Sequence, residues 1–366
     1  MKSARSVRIF TGISIATLAI SAVSAVAFGT VSASINKIDA FAGIDKRPER
    51  ISSAINYLLV GSDTREGLSK AELKALRVGS VATAAGKRSD TMLLVHISKA
   101  RDKAVLVSIP RDSFALIPEH LNKAGKTIPA TYSKINSAFN WGGAPLLIQT
   151  IEEMTELKID HYIEVNFAGF ARVVDSLGGI EVCTKKDIDD PKSHLVLPAG
   201  VHTLNGIDAL KYVRTREFDG MGDIGRMQRQ QAFMSSVLKK ATSAGVLLNP
   251  VTMTNFINSS LSAVTTDEGL KNSDLITLAK QMKSLATSNV RTLTVPLSNL
   301  NYYSNGVTAS VLWDPVLAPE LWERLREDRA VIDEVIASPS PSATEAAKVE
   351  IIDKFKTRTA ADNICR

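Results

Sequence analysis

Three segments of the chain set charged side chains beside runs of β-branched and aliphatic residues. Asp63 follows Ile55-Asn56-Tyr57-Leu58-Leu59-Val60, Arg88-Ser89-Asp90 precedes Thr91–Ile97, and Arg111-Asp112 follows Ala104–Ile109 and Pro110. If the three runs are neighbouring strands, two carboxylates and two or three guanidiniums converge on one edge of a sheet. Paired carboxylates suit a hard cation such as Mg²⁺, which keeps several waters and takes its remaining ligands from phosphate oxygens. The same residues also read as ion pairs on exposed loops, and spacing alone leaves both readings open. A second, denser cluster is Arg214-Thr215-Arg216, followed by Asp223-Ile224-Gly225-Arg226-Met227-Gln228-Arg229-Gln230-Gln231. On a helix Arg226 and Gln230 share a face, with Arg229 beside them. Such arginines repel one another unless a polyanion is present, and guanidinium forks match phosphate bidentately. A solvated helix face is the alternative, for which Gly225 and the glutamines are odd choices.

Several chemistries are excluded. The chain has no Gly-x-Ser-x-Gly elbow, no His-Glu-x-x-His, no phosphate-binding loop of the Walker type and no Gly-x-Gly-x-x-Gly. His96, inside an apolar strand, and His161, at the head of another, read as structural residues rather than ligands. Aromatic residues do not interleave with the arginines, which argues against a nucleic-acid surface. Lys2, Arg5 and Arg8 supply half of the net charge of +6, so the remainder is only weakly basic. A chain of 366 residues with 45% apolar and 22% charged residues is neither disordered nor a disulfide-dense mini-scaffold. Its two cysteines, Cys183 and Cys365, exclude a Cys-based zinc cluster and fit one disulfide in an oxidising compartment.

The elements that must position these residues follow from patterning. Ile9–Phe28 is almost wholly apolar or small, and about twenty helical residues span the roughly 30 Å of a bilayer core. Positive charge ahead of it keeps that end cytoplasmic. A cleaved signal peptide is the alternative, because Ala25-Val26-Ala27 resembles a cleavage site. The expected plan is a cytoplasmic start (1–8), a transmembrane signal-anchor (9–31), a stalk (32–52), an extracytoplasmic catalytic domain (53–336), and a Ser/Pro linker with a C-terminal tail (337–366). Within the domain, Thr91–Ile97 and Ala104–Ile109 pair as a hairpin, and His161–Val165, Ile180–Thr184 and Val290–Val295 are further strands. Helices are expected at Ser69–Arg77, Pro145–Leu157, Ala168–Leu177, Leu204–Val213, Asp223–Lys240, Val251–Leu261 and Ser273–Leu285. Trp313–Ile336 reads as mostly helical, and so does Glu345–Lys356. A hairpin among intermixed strands and helices implies a mixed sheet.

Six motifs occur in order: Gly61-Ser62-Asp63-Thr64-Arg65, Arg88-Ser89-Asp90-Thr91, Ile109-Pro110-Arg111-Asp112, Lys134-Ile135-Asn136-Ser137-Ala138-Phe139, Tyr212-Val213-Arg214-Thr215-Arg216, and Gly222-Asp223-Ile224-Gly225-Arg226 with Arg229-Gln230-Gln231. In this the chain resembles the LytR-CpsA-Psr family of bacterial envelope proteins over residues 56–233, and between Trp141 and Val182 it resembles actinobacterial members most. The resemblance implies an α/β fold, an α-β-α sandwich whose central mixed, largely antiparallel sheet is flanked by helices. It implies an apolar tunnel for a polyprenyl tail with the pyrophosphate at its mouth. The implied activity is transfer of a cell-wall glycopolymer from a polyprenyl-pyrophosphate carrier to a peptidoglycan muramic-acid 6-hydroxyl, by an enzyme anchored in the membrane with its catalytic domain outside. Carried over by motif, Asp63 and Asp90 hold Mg²⁺ or Mn²⁺, and Arg88, Arg111, Lys134, Arg214, Arg216, Arg226 and Gln230 bind the pyrophosphate. Asp223 orients the Arg226 region, and the catalytic set is Asp63, Asp90, Arg111, Arg214, Arg216 and Arg226. Implied partners are the lipid-linked glycopolymer, peptidoglycan and membrane lipid, not nucleic acid. A membrane-anchored polyprenyl-pyrophosphate phosphatase needs the same groups, whereas a non-catalytic lipid-phosphate scaffold or regulator has no need of the carboxylates. The chain departs from compact members in the 26 residues between Asp63 and Asp90, a loop placed to shape acceptor or polymer choice.

Overall fold

The computed structural model describes residues 35–64, 68–76, 89–122, 124–217, 219–220, 222–247, 249–271, 274, 287–336 and 349–359. The expected anchor, Arg88, the Ser/Pro linker, Cys365 and all but Asp274 of the helix expected at Ser273–Leu285 lie outside these residues, as do the side chains of Asp90 and Asp223. Among the described residues no helix is long and apolar enough to cross a membrane.

In chain order, β1 (Asn36–Ile38), β2 (Ile55–Ser62) and α1 (Lys70–Leu76) precede β3 (Ser89–Ile97) and β4 (Ala104–Ile109). Four short strands follow, β5 (Phe114–Ile117), β6 (His120–Leu121), β7 (Thr127–Ile128) and β8 (Thr131–Lys134), and they lead into α2 (Ile135–Thr155). Next come β9 (His161–Val165), α3 (Phe167–Ser176), β10 (Ile180–Thr184), β11 (Ile188–Asp190), β12 (Leu195–Leu197), β13 (Gly200–Leu204) and α4 (Gly206–Tyr212). Then α5 (Gly222–Ala241), α6 (Ala244–Leu247) and α7 (Pro250–Ala263) run to β14 (Val264–Asp267) and β15 (Val290–Thr294). The hairpin β16 (Leu297–Ser304) and β17 (Val307–Trp313) is followed by α8 (Leu317–Arg326), β18 (Asp333–Ile336), β19 (Val349–Ile352) and β20 (Arg358–Thr359).

Eight strands form the central sheet in the order β1-β14-β9-β2-β3-β4-β15-β20. Four of the neighbouring pairs are antiparallel and three parallel, so the sheet is mixed. The period of two in β2, β3 and β4 sorts their side chains by face. Leu58, Val60, Met92, Leu94 and Val107 meet Leu147, Ile148 and Ile151 of α2 and Leu321 and Leu325 of α8 in the largest apolar cluster. Among the described residues, the opposite face is covered more sparsely. There Leu238 of α5 packs on Ala104 and Val290, and Tyr57 and Ile97 pack on Leu270.

Several expectations need correction. Residues 36–38, read as part of a stalk, form the sheet's edge strand, and Arg47 clamps the following segment with a two-pronged ion pair to buried Glu152 (2.6 and 3.0 Å). Trp313–Ile336 is not mostly helical: only Leu317–Arg326 is helix, and strands lie on either side. Asp314 decides where that helix starts, since Asp314 Oδ1 accepts the N–H groups of Val316 and Leu317. Within the span read as helix at Glu345–Lys356, Val349–Ile352 is a strand paired with β18, because a β-branched run there finds an open partner. The helix expected from Leu204 begins at Gly206, where the Asn205 side chain caps it. Finally, α2 begins ten residues before Pro145. Its two halves meet at a break where Gly143 adopts φ 67° and ψ −150°, a conformation open almost only to glycine.

Candidate functional site

Strand direction brings the C-terminal ends of β2, β4, β9 and β15 and the start of β3 to one edge of the sheet. Asp63 lies one residue beyond β2, half-buried. Gly61 pairs with Thr91 and Ser62 with Ser89, so Asp90 is the extra residue of a β-bulge on the adjoining strand. The start of α2 stitches this corner to the next. Asn136 Oδ1 accepts from Ser89 N (3.0 Å), while Asn136 N donates to Arg111 O (3.1 Å). Asp112 stands between two cations, 3.3 Å from Lys134 Nζ and 3.6 Å from Arg111 Nε.

The second wall rises from α3, α4 and α5. Phe167 opens α3 just after β9, and the Arg214 guanidinium lies 5.1 Å from its ring centroid. Gln230 Nε2 donates to Val213 O (3.1 Å), and Arg229 Nη2 donates to Thr215 O (2.6 Å) while Nη1 pairs with Asp219. Gln231 Nε2 reaches Ser108 Oγ (3.0 Å) and Thr294 Oγ1 (2.9 Å), which fixes α5 to the ends of β4 and β15. Arg226, one turn earlier, is buried. Asp190 holds the arginine loop from below: its carboxylate accepts the backbone N–H groups of Arg216 and Glu217 with one oxygen and of Lys192 and Ser193 with the other. Burial alone raises its pKa, but those four donors outweigh it and hold the carboxyl below the usual carboxylate range.

The LytR_cpsA_psr family profile matches residues 25–324. The chain belongs to that family. It is 37% identical over 275 residues to the probable cell wall biosynthesis protein LcpB of Corynebacterium glutamicum, covering 75% of this chain and 62% of that protein. It is 35% identical over 196 residues to the polyisoprenyl-teichoic acid–peptidoglycan teichoic acid transferase TagT of Bacillus subtilis, covering 52% and 53% of the two chains. This chain thus spans only between half and two thirds of each relative's length. Among solved structures, a LytR-Csp2A-Psr enzyme from Actinomyces oris superposes with a TM-score of 0.59 at 21% identity, over 80% of this chain and 96% of that one. The fold is therefore the mixed α/β fold of LytR_cpsA_psr proteins.

Of the residues expected to act, Asp63, Arg111 and Lys134 stand on one side of the strand-end rim, and Arg214, Arg216, Arg226 and Gln230 on the other. Asp90 joins the first group by its backbone position, and Asp223 sits in the first turn of α5. Arg88 lies outside the described residues. The oxygen donors at the Asp63 corner are of the kind a hard cation takes, and the buried Ser89 hydroxyl beside them has no hydrogen-bond partner among the described residues. Among the described residues, no cluster of three or more His, Cys, Asp or Glu side chains forms a closed metal site. Mg²⁺, which keeps waters and takes phosphate oxygens, does not need one. Asn136, Asp190 and Gln231 escaped the sequence reading as site residues, while Asp112 and Arg229 were read only as members of the charged clusters, with no role of their own. Asp112, Asn136, Arg229 and Gln231 lie inside the motif strings, whereas Asp190 has only the turn signal of Asp189-Asp190-Pro191. His96, by contrast, is structural as expected, held between Asn56 Oδ1 (2.8 Å) and Asp328 Oδ1 (3.1 Å).

Proposed function

We propose that this protein transfers a cell-wall glycopolymer from a polyprenyl-pyrophosphate carrier to peptidoglycan, at a muramic-acid 6-hydroxyl, and releases polyprenyl phosphate. The observation that carries this reading is the placement of Arg111, Lys134, Arg214 and Arg226 with Asp63 at the strand-end rim of a sheet face that the described residues fill incompletely. Leu59, Val95, Leu106 and Ile163 lie on interior strands yet stay half-buried, while Leu58, Leu94 and Val107 on the other face are 0–1% exposed. A half-filled apolar face under a polycationic rim suits an isoprenoid tail with its pyrophosphate at the mouth. The name of the TagT relative, a polyisoprenyl-linked polymer transferase, supports the same reading. Residues 9–31 would anchor the protein, with the domain outside the membrane.

In this reading the arginines and Lys134 bind the two phosphates and neutralise the charge that moves onto the leaving polyprenyl phosphate. Asn136 and Asp112 hold Arg111 and Lys134 in place, and Asp190, Gln230 and Arg229 hold the Arg214–Arg216 loop. The P–O–P bond breaks, the polymer-bearing phosphoryl group joins the acceptor oxygen, and the hydroxyl proton is lost to water. Asp63 and Asp90 would hold Mg²⁺ or Mn²⁺, which supplies charge neutralisation at the phosphates. The test is the full chain in detergent with a polyprenyl-pyrophosphate-linked oligosaccharide, with and without peptidoglycan. Polymer joined to peptidoglycan, with polyprenyl phosphate released only when acceptor is present, is the expected result. Equal cleavage without acceptor makes the protein a phosphatase, and binding without cleavage makes it a scaffold.

A further inference from the structure

The segment between Arg111-Asp112 and Lys134 leaves the rim and returns to it as two small ribbons, β5 with β8 and β6 with β7. Between the outer ribbon and the first half of α2 lies a cavity of about 520 Å³, lined by His120, Asn122, Ala124, Ile128, Asn140 and Trp141. Its floor is a pair of stacked rings: His120 and Trp141 have centroids 5.5 Å apart and planes 12° apart. His120 Nδ1 is fixed by Pro118 O at 2.8 Å, and Trp141 remains 36% exposed. Asn122 uses its Oδ1 for the N–H groups of Ala124 and Lys126, which leaves its amide nitrogen as a donor. Among the described residues, no Lys, Arg, Asp or Glu lines the cavity. The break at Gly143 lets the short first half of α2 serve both places, with Asn136 bonded at the rim and Trp141 about 8 Å further along the helix.

We infer that this groove binds the acceptor: an N-acetylated, β-1,4-linked hexosamine strand of peptidoglycan, with a pyranose face on the Trp141 indole and its acetamido and hydroxyl groups on Asn122 and Asn140. The inference rests on the transferase reading and adds to it the place where the acceptor docks. Chemistry sets the ligand class: exposed stacked rings with neutral amides match the C–H faces and polar edges of sugars, and the described lining carries no countercharge for a phosphate. Position sets which glycan it is. The α2 helix covers one face of the sheet, whereas the Arg214–Arg226 wall and the half-buried apolar residues belong to the other. The leaving polyprenyl phosphate therefore departs on one side of the rim, and in-line displacement brings the attacking hydroxyl from the opposite side, where the groove lies.

The experiment titrates the full chain in detergent with soluble, uncrosslinked peptidoglycan glycan strands, and separately with the polyprenyl-pyrophosphate-linked oligosaccharide. Trp141→Ala is expected to weaken glycan-strand binding about tenfold, as removal of one stacked ring does. Trp141→Phe, which keeps a ring, should bind within about threefold of wild type, and the exposed change Asn140→Ala should weaken it severalfold. Donor affinity should hold in all three. A Trp141→Ala protein that binds strands as tightly as wild type, a wild type that binds none, or a loss confined to the donor overturns the assignment. Strand binding through Trp141 without polymer transfer keeps the groove and sinks the transferase reading instead.

Discussion

Arg214 is held from several directions before any substrate arrives: its N–H donates to Lys211 O, its guanidinium lies over Phe167, and Gln230 holds the preceding carbonyl. Cations fixed in advance stabilise developing charge without reorganising. Arg214→Ala or Arg216→Ala should therefore lose about 3 kcal/mol of transition-state stabilisation, about two decades of rate, in a protein with unchanged circular dichroism. Near-normal rates in both would move the phosphate site elsewhere. Asp63→Asn removes a charge a hard cation needs, so the Mg²⁺ concentration for half-maximal rate should rise steeply or activity vanish. Full wild-type activity in chelator would remove the metal from the reaction. Asp190 contributes a pH dependence at the arginine loop. Its folded pKa is depressed, so its stabilisation is complete above the ordinary carboxylate pKa of about 3.9 and is lost as pH falls through the lower folded value. Asp190→Asn should cost about 2 kcal/mol at pH 7 and flatten the loss of stability below pH 4, read as urea midpoints across pH. Parallel pH profiles for the two proteins would end the clamp argument. The arginines and Asp63 were legible because each stands beside a strongly patterned strand or helix. Asp190 and Asn136 were not legible as site residues, because they act on backbone groups 26 and 47 residues away that only folding brings near.

At the scale of elements, the position of Phe167, and with it Arg214, depends on how α3 sits. That helix meets both neighbours at glycine. A Cβ on Gly169 would come within 2.3 Å of Ala263 O and 2.9 Å of Ala263 Cα at the end of α7, and one on Gly206 within 2.3 Å of Ala171 O. These are backbone atoms, which move only if a helix moves. Gly169→Ala should therefore destabilise the fold by about 2–4 kcal/mol and lower the rate through the displaced Phe167, as thermal melts and turnover will record. An unchanged melt would mean the crossing yields at no cost. Long patterned elements such as β2 to β4, α3, α5 and α7 were readable because their periods repeat over many residues. The ribbons between Phe114 and Lys134 were not, since strands of two to four residues carry no readable period and exist through their pairing. The first half of α2 was hidden as well, because Asn136, Ser137, Asn140 and the Gly142-Gly143 pair are poor helix formers held by contacts to the rim. Val349–Ile352 went the other way, where a strand partner overrode a helical reading.

At the scale of the whole molecule, residues 349–359 complete one edge of the sheet. β20 adds antiparallel to β15 at the sheet edge, with Thr292 opposite Arg358, and Phe355 is buried in the main core beneath Arg324. Residues 349–359, beyond the Ser-Pro stretch, therefore join the domain by strand pairing and packing. Cys183, on β10, is buried and disulfide-bonded. The chain's other cysteine, Cys365, follows six residues after β20 and lies outside the described residues. We expect the two to be joined. A bridge closing roughly 180 residues removes chain entropy from the unfolded state worth about 5 kcal/mol, less any native strain. Such a bond is a property of the pair, so Cys365→Ala should lower the unfolding midpoint nearly as far as Cys183→Ala with Cys365→Ala together. If Cys365 were a free surface thiol, its substitution would leave the midpoint unchanged and the whole loss would follow Cys183. Mass spectrometry of protein secreted to an oxidising compartment and alkylated without reduction gives the direct reading. One disulfide-linked peptide pair is the expected species, and two alkylated thiols in folded protein would rule the bridge out.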